Sequence, residues 1–153
     1  MTSTISSLRK AVFICCVLLS AAFVTGCSDG PPTAPGPAPV FGQTDLRAGS
    51  GPPAAAGNRI AVFYTGWLYD ASRPDQKGLQ FETNFGAENP LTFTLGIGQV
   101  IAGWDSGILN QRVGGLRRLV IPPSLAYGGV RNGPIPANAT LIFEIELISA
   151  EAQ

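Results

Sequence analysis

Leu141-Ile142-Phe143-Glu144-Ile145-Glu146-Leu147 has the clearest strand pattern of the chain, because large apolar side chains recur at every second position. A period of two puts the four odd-numbered residues on one face of a strand, and Ile142 and the two glutamates on the other. Residues 59–69 alternate in the same way, with Ile60, Val62 and Tyr64 on one face. Both stretches are therefore predicted to be strands.

The chain around these two stretches supplies further strands and one helix. Strands are predicted at residues 44–48, 79–83, 91–95 and 116–121, between turns rich in glycine, proline and polar residues. Apolar or bulky residues at 101, 104, 108 and 111 recur at helical spacing, which predicts a helix that ends at Gly114-Gly115. Several antiparallel strands and a single helix predict an α+β fold in which the helix packs against a curved sheet.

The composition excludes several classes of function. The 153 residues carry ten basic and ten acidic side chains, with no basic stripe that would bind nucleic acid. Histidine is absent, which removes the commonest general base and the commonest metal ligand. The glutamates do not follow a familiar metal-binding spacing, and Gly96-Ile97-Gly98 is too short to indicate a phosphate-binding loop. We therefore expect no metal, no cofactor and no nucleic-acid partner.

The first 26 residues have the pattern of an export signal. Two basic residues precede an apolar run, residues 11–24, which is short for a membrane-spanning helix. The run leads into Val24-Thr25-Gly26-Cys27, which resembles the bacterial lipobox, where small residues precede a cysteine that becomes lipidated. We predict a lipoprotein signal peptide at residues 1–26 and a lipid group on Cys27. The alternatives are an ordinary secretory signal with an incidental cysteine and, less favoured because the run is short, a retained membrane helix.

A proline-rich segment separates this signal from the folded part. Residues 28–40 read SDGPPTAPGPAPV, with too few apolar side chains to form a core. Residues 27–42 are therefore predicted to be a lipidated tether, with a proline-rich ligand for a partner as the alternative, and residues 43–153 the folded domain. Ser28 occupies the position where aspartate signals inner-membrane retention. We expect an exported cell-envelope lipoprotein, on the periplasmic side of the outer membrane if the source is Gram-negative.

Five aromatic residues come from separate predicted elements, and each would by default be a core residue: Tyr64, Phe81, Trp104, Tyr127 and Phe143. Stretches that contain four of them follow one another in a recognisable order. These stretches are residues 62–68 (VFYTGWL), 99–107 (QVIAGWDSG), 121–128 (IPPSLAYG) and 135–144 (IPANATLIFE). In order and spacing they resemble the signature blocks of FKBP-type peptidyl-prolyl cis-trans isomerases, over about residues 44–149.

The resemblance implies a fold and a binding pocket. It implies an antiparallel half-barrel sheet wrapped around one short helix, with an apolar pocket between helix and sheet. Trp104 is then the pocket floor, and the Ile101 N–H and the Tyr127 hydroxyl are donors to substrate carbonyls. The residues implied to be catalytic are Tyr64, Phe81, Glu82, Ile101, Trp104, Tyr127 and Phe143. Those implied to bind substrate are Leu91, Val100 and Ile135, the last on a flap formed by residues 130–138.

The sequence departs from the family pattern around this pocket. Glu82 replaces the usual aspartate after the pocket phenylalanine, Ala87 replaces an arginine that often pairs with that aspartate, and Leu91 replaces an aromatic wall residue. The flap is also slightly shorter than in the best-known members. These differences bear on catalytic efficiency and macrolide affinity more than on the reaction class. Glu82 can also be interpreted as a core or solvated residue without a catalytic role.

The implied reaction is rotation about an X-Pro peptide bond inside a dry apolar pocket. Amide resonance sets a barrier of about 18–20 kcal/mol, so a pocket that favours the twisted amide lowers it. The expected partners are proline-containing folding polypeptides, macrolides and, through Cys27, a membrane, and a monomer is expected. Two alternatives stay open: a non-catalytic chaperone that uses the same pocket, and a structural envelope lipoprotein whose pocket is vestigial.

Overall fold

The computed structural model describes residues 39–152 of the chain. The predicted signal peptide, Cys27 and most of the predicted tether lie outside the described residues, so the division of the chain stays a prediction. Within the described range the structure contains no helix with the length and hydropathy of a membrane span. The elements are β1 (Gly42–Arg47), β2 (Arg59–Tyr69), β3 (Lys77–Thr83), β4 (Leu91–Thr94), α1 (Ala102–Gly107), β5 (Leu116–Ile121) and β6 (Leu141–Glu151).

The six strands form one antiparallel sheet in the order β1-β5-β6-β2-β3, with β4 also paired to β2. Strand β2 is the centre of this arrangement. One edge of β2 pairs with β6 over residues 59–68, while β4 and β3 share the other edge, at residues 59–62 and 65–69. The predicted α+β fold, an open antiparallel sheet with one short helix, is confirmed.

The core lies between the helix and one face of the sheet. The apolar residues predicted to share a face on β6, at positions 141, 143, 145 and 147, all belong to the buried core, as do Ile60, Val62 and Tyr64 of β2. Helix α1 packs closely on β5 because Gly107 lacks a side chain: a Cβ atom there would lie 2.7 Å from the Leu119 side chain. Gly103 meets Ile121 in the same way. The close approach keeps the helix, and with it the buried Trp104, against the sheet.

The helix is shorter than the sequence predicted. It ends at Gly107 instead of continuing to Gly114-Gly115. Asn110 adopts a left-handed conformation (φ 62°), and its N–H donates to the Ala54 carbonyl, so the helical pattern cannot continue through it. Gln111 is nevertheless buried, because its amide donates to the carbonyls of Gly115 and Ile145. Gln111 therefore matched the helical spacing because it is a buried loop residue, not because the helix extends to it.

Strand boundaries agree with the sequence prediction for two strands and differ at the ends of others. β2 and β5 have the predicted limits, whereas β1 begins two residues earlier than predicted and ends one residue earlier. β3 begins at Lys77 instead of Leu79, because Lys77 pairs with Tyr69 and its amine lies 4.2 Å from the centre of the Trp67 ring. β6 continues to Glu151, where it pairs with the first residue of β2.

Candidate functional site

Three aromatic side chains from three elements meet between the helix and the sheet. The ring of Trp104, on α1, lies 4.9 Å from that of Tyr64 on β2 and 5.1 Å from that of Phe143 on β6. Both pairs are edge-to-face, with interplanar angles of 78° and 89°. This arrangement is favourable for aromatic rings and fixes their orientation. Trp104 and Phe143 therefore lie on the same side of the sheet, as a pocket between them requires.

A cavity of about 400 Å³ opens over this cluster, and we call it the aromatic pocket. It draws its walls from β2, β3, β4, α1, β6 and two loops. Its lining residues are Tyr64, Glu82, Leu91, Gly98, Gln99, Val100, Ile101, Trp104, Tyr127 and Phe143. A volume of this size accommodates a small ligand or a few residues of a peptide.

A second cavity, of about 390 Å³, adjoins the first, and we call it the side cavity. Glu82 and Tyr127 line both cavities, so they stand at the boundary between them. The other lining residues are Phe81, Asn132, Pro134 and Ile135. A polypeptide held in the aromatic pocket would therefore have a continuation into the side cavity.

The structure brings together most of the residues predicted for the site. Of the ten predicted catalytic or substrate-binding residues, eight line the aromatic pocket, and Phe81 and Ile135 line the side cavity. Phe81 still supports the pocket, because its ring packs edge-on against Phe143 at 5.6 Å. The sequence reasoning missed Gly98 and Gln99. The sequence could have indicated both residues, because Gln99 is the first residue of the block that contains Trp104, and Gly98 directly precedes that block.

Polar side chains at the end of β3 fix the backbone of Tyr64. Asn84 Oδ1 accepts a hydrogen bond from the Tyr64 N–H (2.6 Å), and Thr83 Oγ1 donates to the Tyr64 carbonyl (3.0 Å). The Asn84 amide also donates to the Val62 carbonyl (3.1 Å). These bonds satisfy backbone groups of β2 where its edge passes from β4 to β3. They hold Tyr64 in the pocket wall.

A glycine in β2 lets two aromatic rings pack over the strand. A Cβ atom on Gly66 would lie 2.6 Å from the ring of Phe81 and 2.8 Å from that of Phe143. Real side chains do not approach so closely, so any other residue here would displace one ring or the other. Gly66 is therefore part of the reason that Phe143 reaches the pocket.

The charge in the pocket comes from Glu82. It is the one charged residue among those described around the aromatic pocket, and it is exposed. Burial raises the pKa of Tyr64, and the interaction of its hydroxyl with the Glu82 carboxylate adds to that increase. Burial also raises the pKa of Tyr127, with a contribution from the Glu82 charge and a smaller opposing effect of a hydrogen bond with Asn132. Both hydroxyls therefore stay protonated, as donors, at neutral pH.

One residue that lines the pocket, Ile101, has a backbone N–H without a partner in the described part of the chain. This N–H lies at the start of α1. The indole Nε1–H of Trp104 also has no nitrogen or oxygen acceptor among the described residues, but it is fully buried and is not exposed to the cavity. A free donor in an apolar pocket is suited to a ligand that carries carbonyl groups.

The lining of the aromatic pocket is mainly apolar and aromatic, with Glu82 as its one carboxylate among the described residues. Residues 39–152 contain no cluster of three or more potential metal ligands. The pocket offers apolar surface and a few hydrogen-bond donors. Such a site binds and orients an apolar group next to a carbonyl.

Residues 51–148 match the family model described as FKBP-type peptidyl-prolyl cis-trans isomerase. This chain belongs to that family. The matched span of the FKBP domain includes every residue that lines the aromatic pocket and the side cavity. The recognition made from the sequence blocks is confirmed, and with it the assignment of the chain as a peptidyl-prolyl isomerase.

Characterised relatives support the same assignment. The FKBP domain is 46% identical over 105 residues to the FK506-binding protein of Neisseria meningitidis serogroup B, covering 68% of this chain and 90% of that protein. It is 42% identical over 106 residues to FK506-binding protein 1 of Aspergillus oryzae, covering 67% of this chain and 91% of the relative. These alignments extend over nearly the full length of both relatives.

Solved structures of FKBP-type proteins share the fold. FkpA from Escherichia coli superposes with a TM-score of 0.61 at 35% sequence identity, covering 73% of this chain and 48% of that one. A peptidyl-prolyl cis-trans isomerase from Pseudomonas syringae superposes with a TM-score of 0.59 at 37% identity, covering 72% of this chain and 75% of the other. The sheet and helix described above are thus those of the family.

Proposed function

We propose that this FKBP-type isomerase accelerates X-Pro bond rotation in exported proteins as they fold, from a lipid anchor at the cell envelope. The isomerase class follows from the family. The observation that carries the site assignment is the aromatic pocket, an open cavity over the edge-to-face cluster of Tyr64, Trp104 and Phe143. Cis and trans X-Pro bonds differ little in free energy but interconvert slowly, so folding chains benefit from a catalyst.

In this proposal the prolyl ring packs against Trp104, between Tyr64 and Phe143. The planar amide is stabilised by resonance and by hydration of its polar carbonyl, whereas the twisted transition state has lost much of that polarity. Transfer into an apolar cavity therefore disfavours the planar form more than the twisted one. A rate gain of roughly 10⁴ requires only about 5.5 kcal/mol, which aromatic walls and a few hydrogen bonds can supply.

Two donors would hold the peptide on either side of the rotating bond. The Ile101 N–H and the Tyr127 hydroxyl are proposed to meet substrate carbonyls, with the Glu82 carboxylate facing the tyrosines and adding to the increase in their pKa values that burial causes. Leu91 and Val100 would contact the prolyl ring or its neighbours, and Phe81 and Ile135 would contact residues that extend into the side cavity. Each contact fixes the substrate without transferring a proton.

The same pocket is proposed to bind macrolides. The curated relatives carry the name FK506-binding protein, and FK506 is therefore the first ligand to test on this chain. Glu82 has no ion pair with any described residue, in keeping with Ala87 at the position where a basic partner would stand. We expect binding in which this acidic position contributes less than it would with a basic neighbour.

The proposed location rests on the sequence pattern alone. The lipobox-like residues that end in Cys27 and the proline-rich stretch that follows support a lipidated tether. More than one acyl chain is needed for stable anchoring, and a processed lipoprotein cysteine carries two or more. The domain would then act as a monomer above the membrane surface, with folding polypeptides as its substrates.

The direct test is turnover of X-Pro peptides by the full chain. Wild type should accelerate cis–trans exchange, FK506 should block it, and both Tyr127→Phe and Phe143→Ala should lower kcat/KM. Phe85→Ala is the matched control, because Phe85 is an exposed aromatic residue that stacks on Phe63 away from the lining residues. If the wild type binds prolyl peptides and protects a client from aggregation without any turnover, the chain is a chaperone and the proposal is wrong.

A further inference from the structure

Asp105 directly follows Trp104, the floor of the aromatic pocket. Its carboxylate makes two hydrogen bonds that have no role in the substrate binding proposed above. Its Oδ1 accepts a hydrogen bond from the Gly96 N–H (2.8 Å), and its Oδ2 accepts one from the Gly98 N–H (2.9 Å). Hydrogen bonds to an ionised acceptor are about twice as strong as those between neutral groups. One carboxylate thus joins helix α1 to the loop that precedes it in the chain.

That loop forms one side of the aromatic pocket. We call residues 96–100 the rim loop, and its last three residues line the pocket. Gly96 and Gly98 have left-handed conformations, with φ of 85° and 77°. Residues other than glycine rarely adopt these φ angles. The two glycines therefore allow both N–H groups to reach the same carboxylate. The loop has one further tie, a hydrogen bond from the Thr94 N–H to Gln99 Oε1 (2.7 Å).

The rim loop leads directly into Ile101, which carries the unpaired N–H in the pocket. The carbonyl side of Ile101 is already fixed, because it accepts hydrogen bonds from the N–H groups of Trp104 (2.9 Å) and Asp105 (3.3 Å). The position of the Ile101 N–H depends on where the preceding rim loop lies. Asp105 accepts the two hydrogen bonds from this loop and lies in the same helical turn as Trp104.

We propose that Asp105 is a positioning residue for the isomerase reaction. Its carboxylate holds the rim loop so that the Ile101 N–H stands at a fixed distance from the floor formed by Trp104. Asp105 itself does not touch the substrate. The proposal rests on the isomerase activity and on the role of the Ile101 N–H described above, and it adds the residue that keeps this donor in place.

Three substitutions of Asp105 in the full chain test the proposal. Asp105→Asn keeps the size of the side chain but replaces one acceptor oxygen by a donor, Asp105→Ala removes both acceptors, and Asp105→Glu restores the carboxylate. Ser106→Ala is the matched control, because its hydroxyl donates to the Ala102 carbonyl within the helix and not to the rim loop. Each variant is assayed for kcat and KM separately by NMR exchange on an X-Pro peptide, with the folded fraction taken from urea unfolding.

Misplacement of a donor by about 1 Å can lower the rate by up to 10²-fold. We expect kcat per folded molecule to fall about tenfold in Asp105→Asn and further in Asp105→Ala, with a smaller change in KM. Partial recovery is expected in Asp105→Glu, and the control should keep the wild-type kcat. The amide proton resonances of Gly96 and Gly98 should shift in the Asn and Ala variants.

A kcat per folded molecule within about twofold of wild type in both Asp105→Asn and Asp105→Ala would overturn the proposal, because that factor is less than 0.5 kcal/mol. The same holds if the loss of activity only follows a loss of folded protein. Absence of turnover in the wild type is a different outcome. It would contradict the isomerase activity itself, and the role of Asp105 with it.

Discussion

Tyr64 and Tyr127 are the ionisable donors of the aromatic pocket, and both are held in the protonated form. Burial is the largest cause in each case, and the nearby Glu82 carboxylate raises both pKa values further. An ordinary tyrosine titrates near pH 10, so a raised pKa moves the loss of the proton to still more alkaline solution. A reaction that needs these hydroxyls as donors should therefore tolerate mildly alkaline conditions.

We predict that kcat/KM for an X-Pro peptide stays constant from about pH 7 to about pH 9, below the ordinary tyrosine pKa. The measurement is NMR exchange, which needs no coupling protease that would have its own pH dependence. The far-ultraviolet circular dichroism spectrum at each pH serves as the control for unfolding. A fall in activity of the folded protein within this range would show that the tyrosines ionise more easily than their burial implies.

Gly66 illustrates how a strand shapes the pocket. Because a Cβ atom at this position would overlap the rings of Phe81 and Phe143, we predict that Gly66→Ala displaces a ring of the pocket wall. Stability should fall by about 1–3 kcal/mol from overpacking, and kcat/KM by about 10- to 100-fold. Urea unfolding and the X-Pro assay measure the two effects.

Gly42→Ala is the control for this substitution, because a Cβ atom there would make only an ordinary contact of 3.9 Å with Val120. Gly42→Ala should change neither the free energy of unfolding nor kcat/KM appreciably. If Gly66→Ala retains wild-type activity, the positions of these two rings matter less to the pocket than their packing suggests.

The outer face of the sheet carries an ion-pair cluster that ties three strands together. The Glu144 carboxylate of β6 forms ion pairs with Lys77 of β3 (2.6 Å) and Arg118 of β5 (2.8 Å). The Glu144 side chain is only 16% exposed. Burial alone would raise the pKa of Glu144, but the hydrogen bonds and charges of Lys77 and Arg118 together lower it. The ionised carboxylate thus stabilises the fold.

The lowered pKa sets the direction of the pH dependence. The stabilisation by Glu144 is complete above the pKa of the unfolded chain and disappears as the pH falls through the folded-state pKa. Glu144→Gln should therefore lower the free energy of unfolding by about 1–3 kcal/mol at neutral pH and by progressively less in acid. Urea unfolding across the acidic range measures this difference. Glu88→Gln, an exposed glutamate, is the control, and a Glu144 effect that does not diminish in acid would contradict the explanation.

The sequence predicted the elements better than it predicted their contacts. The strand limits of residues 59–69 and 116–121 could be read directly from the sequence, and the family resemblance implied eight of the ten residues that line the aromatic pocket. Helical spacing at Gln111 was misleading, because burial of a loop residue produces the same pattern. The sharing of one β2 edge by β3 and β4, and the bonds of Asp105 to the rim loop, depend on tertiary geometry that no local pattern encodes.

At the scale of the whole molecule, we propose that a lipid anchor at Cys27 attaches the isomerase domain to the membrane. If Cys27 is lipidated, Cys27→Ser should release the protein from the membrane fraction or leave an uncleaved precursor. Cell fractionation followed by mass measurement of the mature N-terminus distinguishes these results. Ser28→Ala, next to the lipidation position, is the control and should fractionate like wild type. A Cys27→Ser variant that stays in the membrane fraction at its mature mass would contradict lipidation.

We propose that the apolar pocket lowers the barrier to amide rotation without transferring a proton. The solvent deuterium isotope effect on kcat/KM, measured by protease-free NMR exchange on an X-Pro peptide, tests this most directly. General acid–base catalysis moves a proton in the transition state and slows in D₂O. For a pocket that transfers no proton, we predict a ratio of rates in H₂O and D₂O close to unity. A clearly slower reaction in D₂O would contradict catalysis without proton transfer.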